Sequence, residues 1–290
     1  MRSNKSITLT SAILMSLRES IRAGVSSRCD FPIVLSRSAL LIIDVQRYCC
    51  ELRPGVPEYY QKESLPRMLQ NIRELLNVFR TERDDFRNDC GTDIGGGDSS
   101  NPTQSQHQGD QRQQQVFDFP EVVFVIIKSM TNDGRDISID YKLSGPYFKD
   151  IPNVASTDKE IFLPGTLTPD RINGRGDIVV TKTACSAFGT TTLDRSLRNL
   201  FVEQLVVCGQ LTDQCVESSV RDAADLGYLV TVVKDACAAH SCDEHDKGLF
   251  GMKGFCRILS TEEVLREIHT ARRAAETKKK ISASRAPAPT

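Results

Sequence analysis

Six short apolar runs, each separated from the next by a segment of different character, constrain this chain more than any other feature. Residues 38–45 read SALLIIDV, 121–128 EVVFVIIK, 177–181 DIVVT, 204–208 QLVVC, 228–234 YLVTVVK and 256–259 CRIL. Continuous apolar runs of this length mark strands covered on both faces. After the first run, Leu69, Ile72, Leu75, Leu76 and Phe79 keep helical spacing, and 193–200, 214–226 and 243–253 also read as helices. A capping pattern, T-E-E-V at 261–264, opens a final helix. Strands alternating with helices at this pitch predict an α/β three-layer sandwich, with a central, mainly parallel six-stranded sheet and helices on both faces.

Three segments lack such patterning and set the expected domain limits. Residues 1–36 form an N-terminal extension whose first 24 residues carry only Glu19 as an acid; it is transit-like but has no signal-peptide h-region with a clear cleavage site. Residues 88–115, NDCGTDIGGGDSSNPTQSQHQGDQRQQQ, bury too little apolar surface to offset their ordering entropy and are expected to be a disordered insertion. Residues 271–290 begin as a helix end and finish as a basic, Pro-containing tail, expected to be disordered. The folded domain is therefore expected over 37–270. A net charge of -1 gives no electrostatic case for nucleic acid or an anionic membrane. No apolar run approaches the roughly 20 residues of a spanning helix. The expected compartment is the cytoplasm, with the mitochondrion as the alternative.

Parallel sheets of this kind hold ligands at the carboxyl ends of their strands, so functional residues should follow the apolar runs directly. Asp44 follows the first run, Lys182 the third, and the loop QLTD with Cys215 the fourth. Each alone has an ordinary explanation, since Asp often caps a strand end and Lys is usually solvated there. Together they put an acid, an amine and a thiol on one edge of one sheet. The chain holds ten cysteines without a CxxC pair, and most read as small buried hydrophobes in a reducing compartment. Cys208 lies inside an apolar run, where it should pack and stay protonated. Cys215 follows Thr212 and Asp213, both good N-cap types. It should therefore sit in a first helical turn, where the helix dipole favours a thiolate and free N–H groups can hold an oxyanion. A neighbouring carboxylate by itself raises a thiol pKa. Asp44 is therefore cast as a base that takes the thiol proton as substrate binds and hands it to the leaving group, with Lys182 as the cation that keeps Asp44 ionised and offsets the thiolate.

With these residues placed, the chain resembles the isochorismatase-like cysteine hydrolase superfamily. That group includes nicotinamidases, N-carbamoylsarcosine amidases, biuret hydrolases and ureidoacrylate amidohydrolases. The matching motifs are LLIIDVQ at 40–46, TKTACSAFGTT at 181–191 and VVCGQLTDQCVESSVRDAADLGYLVTVVKDACA at 206–238. The resemblance implies a catalytic triad of Asp44, Lys182 and Cys215. It also implies a non-proline cis peptide between Gln210 and Leu211, and an oxyanion hole from the backbone N–H groups of Leu211 and Cys215. Gln46, Tyr48, Phe188 and Tyr141 become candidate substrate-binding residues, with core packing an equal reading for Phe188. Arg135 and Lys142, in the polar stretch 133–145, are further candidates to meet a polar substrate, or else belong to a surface loop.

One departure narrows the chemistry. The metal-binding Asp-x-His pair of nicotinamidases has no counterpart between 45 and 181, where His107 is the sole histidine. No metal and no cofactor are expected, and His240, Cys242 and His245 do not form a compact ligand set. The expected activity is metal-independent cleavage of a C–N bond in a small amide or ureide through a thioester. Vinyl-ether hydrolysis of the isochorismatase type and a non-catalytic binding protein with a vestigial site are the alternatives. Family resemblance also implies a homo-oligomer, dimer or tetramer.

Overall fold

The structure is a computed structural model that describes residues 31–51, 55–89, 119–143, 151–171 and 176–284. The chain divides into two compact units, 1–32 and 33–290. Nearly all of the first lies outside the described residues, and the description below concerns the second. Its elements are β1 (Ser38–Ile43), α1 (Leu65–Asp89), β2 (Glu121–Ile127), α2 (Ile139–Leu143), β3 (Ile178–Lys182), α3 (Leu193–Asn199), β4 (Gln204–Gln210), α4 (Glu217–Asp225), β5 (Leu229–Ala238), α5 (Cys242–Met252), β6 (Arg257–Leu259) and α6 (Thr261–Ser284).

The six strands form one sheet in the order β3-β2-β1-β4-β5-β6, and every recorded pairing is parallel. The sheet is wholly parallel where the sequence predicted a mainly parallel one. Every residue of β1 is buried, and successive side chains go to opposite layers, as strand geometry requires. Leu40 and Ile42 pack with Met68, Ile72, Leu75, Leu76 and Phe79 of α1 and with Val264 and Ile268 of α6. Ala39, Leu41 and Ile43 pack with Leu193 and Leu197 of α3, Val220 and Ala223 of α4, and Met252 of α5. Two apolar layers on one sheet are the three-layer sandwich.

β1 sits at the centre, with β2 and β3 added on one side and β4, β5 and β6 on the other. The chain therefore reverses its direction of travel between β1 and β4, and a crevice opens at the carboxyl ends of those two strands. At this point Gly209 of β4 has φ +118°, and a Cβ there would overlap the backbone of Ile43. Only glycine lets the two strand ends approach so closely. At the opposite edge, the buried Arg83 of α1 pairs with Asp177, just before β3, at 2.7 Å, and Arg80 joins the same carboxylate. This ion cluster ties the α1 helix to the start of β3.

Several expected limits shift. The folded unit begins at Ile33 rather than residue 37. The α1 helix runs to Asp89, so the first two residues of the predicted 88–115 insertion are helical, and the remainder lies outside the described residues. The α6 helix continues to Ser284, well past residue 271. Charged residues along 271–280 hid this continuation, because a solvated helix face and a solvated coil have the same composition. Among the described residues, no helix is long and apolar enough to cross a membrane.

Candidate active site

Asp44 is the first residue beyond β1. Its N–H extends the parallel ladder to Val125 O at 2.8 Å, after which the backbone turns into the left-handed region at φ 54°. Aspartate tolerates that conformation better than most side chains. Lys182 is the last residue of β3, two strands from β1, or about 10 Å in a sheet. A lysine stem spans most of that gap across the end of β2. Its Nζ lies 2.9 Å from Asp44 Oδ2, 3.0 Å from Ala184 O and 3.3 Å from Cys215 Sγ. The structure thus brings together the three residues that the strand-end rule selected. Asp44, Lys182 and Cys215 are 2%, 0% and 4% exposed, so their interactions act in a nearly dry site.

Cys215 reaches this position by a route that differs from the expected one. It lies in a five-residue π-helical turn, Thr212–Val216, that leads into α4. Residue Leu211 takes the N-cap position and no side chain caps the turn, so neither Thr212 nor Asp213 plays that role. Thr212 Oγ1 instead meets His245 Nδ1 at 2.9 Å, which ties the turn to α5. A Cβ on Gly248 of α5 would fall 2.8 Å from Asp213 Cα, so the helix packs hard against the turn. The Gln210–Leu211 peptide is cis. The Leu211 carbonyl accepts from the N–H groups of Gln214 and Val216, both at 3.1 Å, and skips that of Cys215.

The charge state follows from the whole cluster rather than from the helix start alone. A hydrogen bond with Cys185, together with burial, pushes the Cys215 thiol well above its ordinary range, and Lys182 only partly opposes this. Burial and the nearby Cys215 push the Asp44 carboxyl up, again against Lys182. Burial works against the Lys182 ammonium, yet Asp44 and Cys215 outweigh it and raise its pKa. One buried cation can balance one buried anion. Lys182 therefore supports a single negative charge shared between Asp44 and Cys215, and the resting form is carboxylate, ammonium and neutral thiol. The sulfur is close enough to Asp44 for proton exchange, although Oδ1 of Asp44 is buried without an aligned hydrogen-bond partner.

Of the other candidates, Tyr141 contacts the cluster, and the other five make their recorded contacts elsewhere. Tyr141 Oη lies 3.1 Å from Cys215 Sγ, with its ring 5.9 Å from Lys182 Nζ. Gln46 is 0% exposed, and its carboxamide is spent on the backbone of Ile127: Nε2 donates to the carbonyl at 3.0 Å and Oε1 accepts from the N–H at 2.7 Å. It braces β1 to β2. Phe188 packs in the core beside Tyr228, with ring centroids 5.9 Å apart. Tyr48 packs against Ile127, Ile137 and Ile151. Arg135 is exposed and pairs with Asp133, while Lys142 donates to the Arg135 carbonyl. Cys208 is fully buried in β4, where burial and Cys237 push its thiol up, as packing rather than chemistry requires.

Residues that the sequence reading passed over complete the surroundings. Gln210 Nε2 donates to Asp44 O at 3.1 Å, and Tyr60 Oη hydrogen-bonds Gln210 Oε1, which fixes the floor beneath Asp44. Cys185 lies beside Cys215, whose thiol it helps to push up, and donates to Asp140 Oδ2 at 3.4 Å. The cysteine in TACSAF was the available signal for it. His240 packs edge-on to Tyr60 and His245 bonds Thr212, so the two histidines face different elements.

A parallel three-layer α/β protein with thiol, carboxylate and ammonium at the carboxyl edge of its central strands defines a recognisable class. An isochorismatase domain matches residues 158–263. The cysteine hydrolase of Pseudomonas syringae pv. phaseolicola has the same fold, with a TM-score of 0.60 at 22% identity over 85% of this chain and 99% of that one. Ureidoacrylate amidohydrolase RutB of Variovorax paradoxus is 48% identical over 61 residues, 21% of this chain and 24% of that protein. A protein of Arabidopsis thaliana named "Probable inactive nicotinamidase" is 30% identical over 133 residues, 46% of this chain and 66% of its own length. The chain spans about half or less of the first curated relatives it matches, at 48%, 50% and 39% of their lengths. The chain thus carries an isochorismatase domain over residues 158–263 and shares its fold with a cysteine hydrolase.

Proposed function

We propose that the protein is a hydrolase that cleaves a C–N bond of a small amide or ureide through a thioester on Cys215. The observation that carries this reading is the position of Lys182 Nζ, 2.9 Å from Asp44 and 3.3 Å from the Cys215 sulfur in a buried cluster. In the reaction, Asp44 takes the thiol proton and the sulfur attacks the substrate carbonyl carbon. Lys182 stays cationic and balances whichever neighbour carries the negative charge. The N–H groups of Leu211 and Cys215 donate to the oxyanion, a contribution of about 10²–10³ in rate for each donor. The C–N bond then breaks as Asp44 returns the proton to the leaving nitrogen, and ammonia or an amine departs. A water deprotonated by Asp44 attacks the thioester, and the acid and free thiol are regenerated.

A thiol that is neutral at rest suits this sequence of steps. The proton that Asp44 removes from sulfur is the one that the leaving nitrogen needs. The absence of an Asp-x-His pair between residues 45 and 181 supports chemistry without a bound metal. The test is an ammonia-release screen over ureides, carbamoyl compounds, nicotinamide and maleamate, with pyruvate release from isochorismate followed in parallel. Turnover should produce ammonia or an amine and an acyl adduct on Cys215 visible by mass spectrometry after a rapid quench. Full activity in Cys215→Ala, or pyruvate release without any adduct, refutes the thioester reading.

A further inference from the structure

The Cys215 sulfur has a second thiol beside it that the hydrolytic steps do not use. Cys185 lies three residues beyond Lys182, in a stretch at 183–186 that belongs to neither strand nor helix. It packs on the same side of the sheet as Cys215, against the same apolar cluster, and the two thiols shift each other's titration. Consecutive residues of α2 hold the pair from one side. Asp140 Oδ2 accepts from Cys185 Sγ at 3.4 Å, and Tyr141 Oη lies 3.1 Å from Cys215 Sγ. Access differs between them, since Cys185 is partly exposed and Cys215 is buried.

We propose that Cys185 and Cys215 form an oxidant-modifiable pair, which a hydroperoxide converts to a disulfide and an external dithiol restores. The exposed member reacts first. The Cys185 sulfur, with its proton removed, attacks the outer peroxide oxygen. The O–O bond breaks, Cys185 becomes a sulfenic acid, and the alcohol or water departs with a proton. Contact with Cys215 lowers the Cys185 pKa, which assists this step. Cys215 then gives its proton to Asp44 and its sulfur attacks the Cys185 sulfur. The S–O bond breaks, and the departing hydroxide takes the proton from Asp44 and leaves as water. Two thiols and one hydroperoxide give one disulfide, one alcohol and one water, so two electrons pass from sulfur to oxygen.

The sulfurs must close to about 2 Å for the bond to form. The irregular 183–186 stretch can supply that movement, because no sheet ladder holds it. Reduction runs through the same exposed side. A thiolate attacks the Cys185 sulfur and Cys215 leaves as a thiolate beside Lys182. The disulfide needs no substrate chemistry, while its consequence, loss of hydrolysis, rests on the function proposed above.

The test treats the full-length chain with hydrogen peroxide at low molar excess and alkylates the remaining thiols. Double digestion with trypsin and endoproteinase Asp-N then puts Cys185 in TACSAFGTTTL (183–193) and Cys215 in DQCVESSVR (213–221), the latter free of Cys208. The expected product joins these two peptides with the loss of two hydrogens, and dithiothreitol separates them. In Cys185→Ser the joined species should disappear, and Cys215 should pass to acids that dithiothreitol does not reduce. The wild-type map alone decides the matter if that variant fails to fold. A bridge from Cys215 to Cys49 overturns the proposal, as does recovery of Cys185 and Cys215 as separate peptides with no bridge. Because the map is read without substrate, a negative result removes the pair and leaves the hydrolase reading standing.

Discussion

Removing the Lys182 charge, alone and together with that of Asp44, measures whether the site holds one shared negative charge. In Lys182→Met the Asp44 carboxyl stays buried without its partner at 2.9 Å, and breaking a buried pair in this way costs about 3–5 kcal/mol. Asp44→Asn is gentler. Asparagine keeps the left-handed backbone conformation, and the Cys215 thiol can ionise in place of the carboxylate, so the cost is about 1–3 kcal/mol. In the double variant no buried charge remains unbalanced. Its cost should fall close to that of Asp44→Asn alone, a coupling of about 3 kcal/mol or more.

The assay is urea unfolding at neutral pH followed by circular dichroism, with comparison of the four proteins at constant m. pH adds an independent check. Burial holds the folded-state pKa of Asp44 above its unfolded value, so its contribution is fully present below the ordinary carboxylate range and is lost as pH rises through the folded value. With Lys182 gone nothing opposes that shift, and Lys182→Met should lose stability more steeply than the wild type as pH rises above the ordinary carboxylate range. Single costs that add to within about 0.5 kcal/mol would refute the reasoning, since additivity means the two charges do not share one dry site.

Tyr141→Phe keeps the ring beside Lys182 but removes the hydroxyl 3.1 Å from sulfur, and should cut kcat about 3- to 10-fold on any substrate turned over; an unchanged kcat detaches Tyr141 from the reacting atom. Gly209→Ala forces a Cβ into Ile43 and should cost about 3 kcal/mol or prevent folding, read as a fall in Tm of roughly 6–12 °C by calorimetry, and a native Tm would contradict the close β1–β4 approach. In native protein at neutral pH, iodoacetamide should label Cys185 before Cys215. The former thiol is lowered by its contact with Cys215, and the latter is raised by Cys185 and burial, so the Cys215 rate should keep climbing at pH values where Cys185 has levelled; mass mapping of early time points that shows the reverse order refutes both directions.

The strands were legible because burial on both faces leaves a continuous apolar run, and a run has one interpretation at that length. Their ends were less so. The β5 strand runs on through Lys234 and Asp235 to Ala238, because its pairing with β4 resumes beyond a register shift, with Gly209 opposite Cys237. Polar residues there looked like a strand end, and only the neighbouring strand shows otherwise. Asp44, Lys182 and Cys215 were found by a rule about where parallel strands stop, which needs no knowledge of sheet order. Gln46 was misread for the opposite reason, since a residue near a strand end can turn its side chain back to the adjacent strand, and sequence carries no sign of that choice. Asp140 and Cys185 are 45 residues apart and meet because α2 lies over the end of β3, a contact without periodic signature.

The protonation state of the site depends on the cluster as a whole. A helix-start argument considers Cys215 by itself and predicts a thiolate. The folded site adds a carboxylate and a second thiol within the same buried volume as a single ammonium. Electroneutrality in a low-dielectric pocket then outweighs the partial charges of a helix end, which amount to about half an elementary charge and act over the first turn. In the proposed reaction the nucleophile is consequently made when substrate arrives, by transfer of its proton to Asp44, rather than held ready. The same arrangement leaves the more accessible Cys185 as the thiol that an oxidant meets first, so the charge balance that quiets Cys215 at rest also sets the order of oxidation.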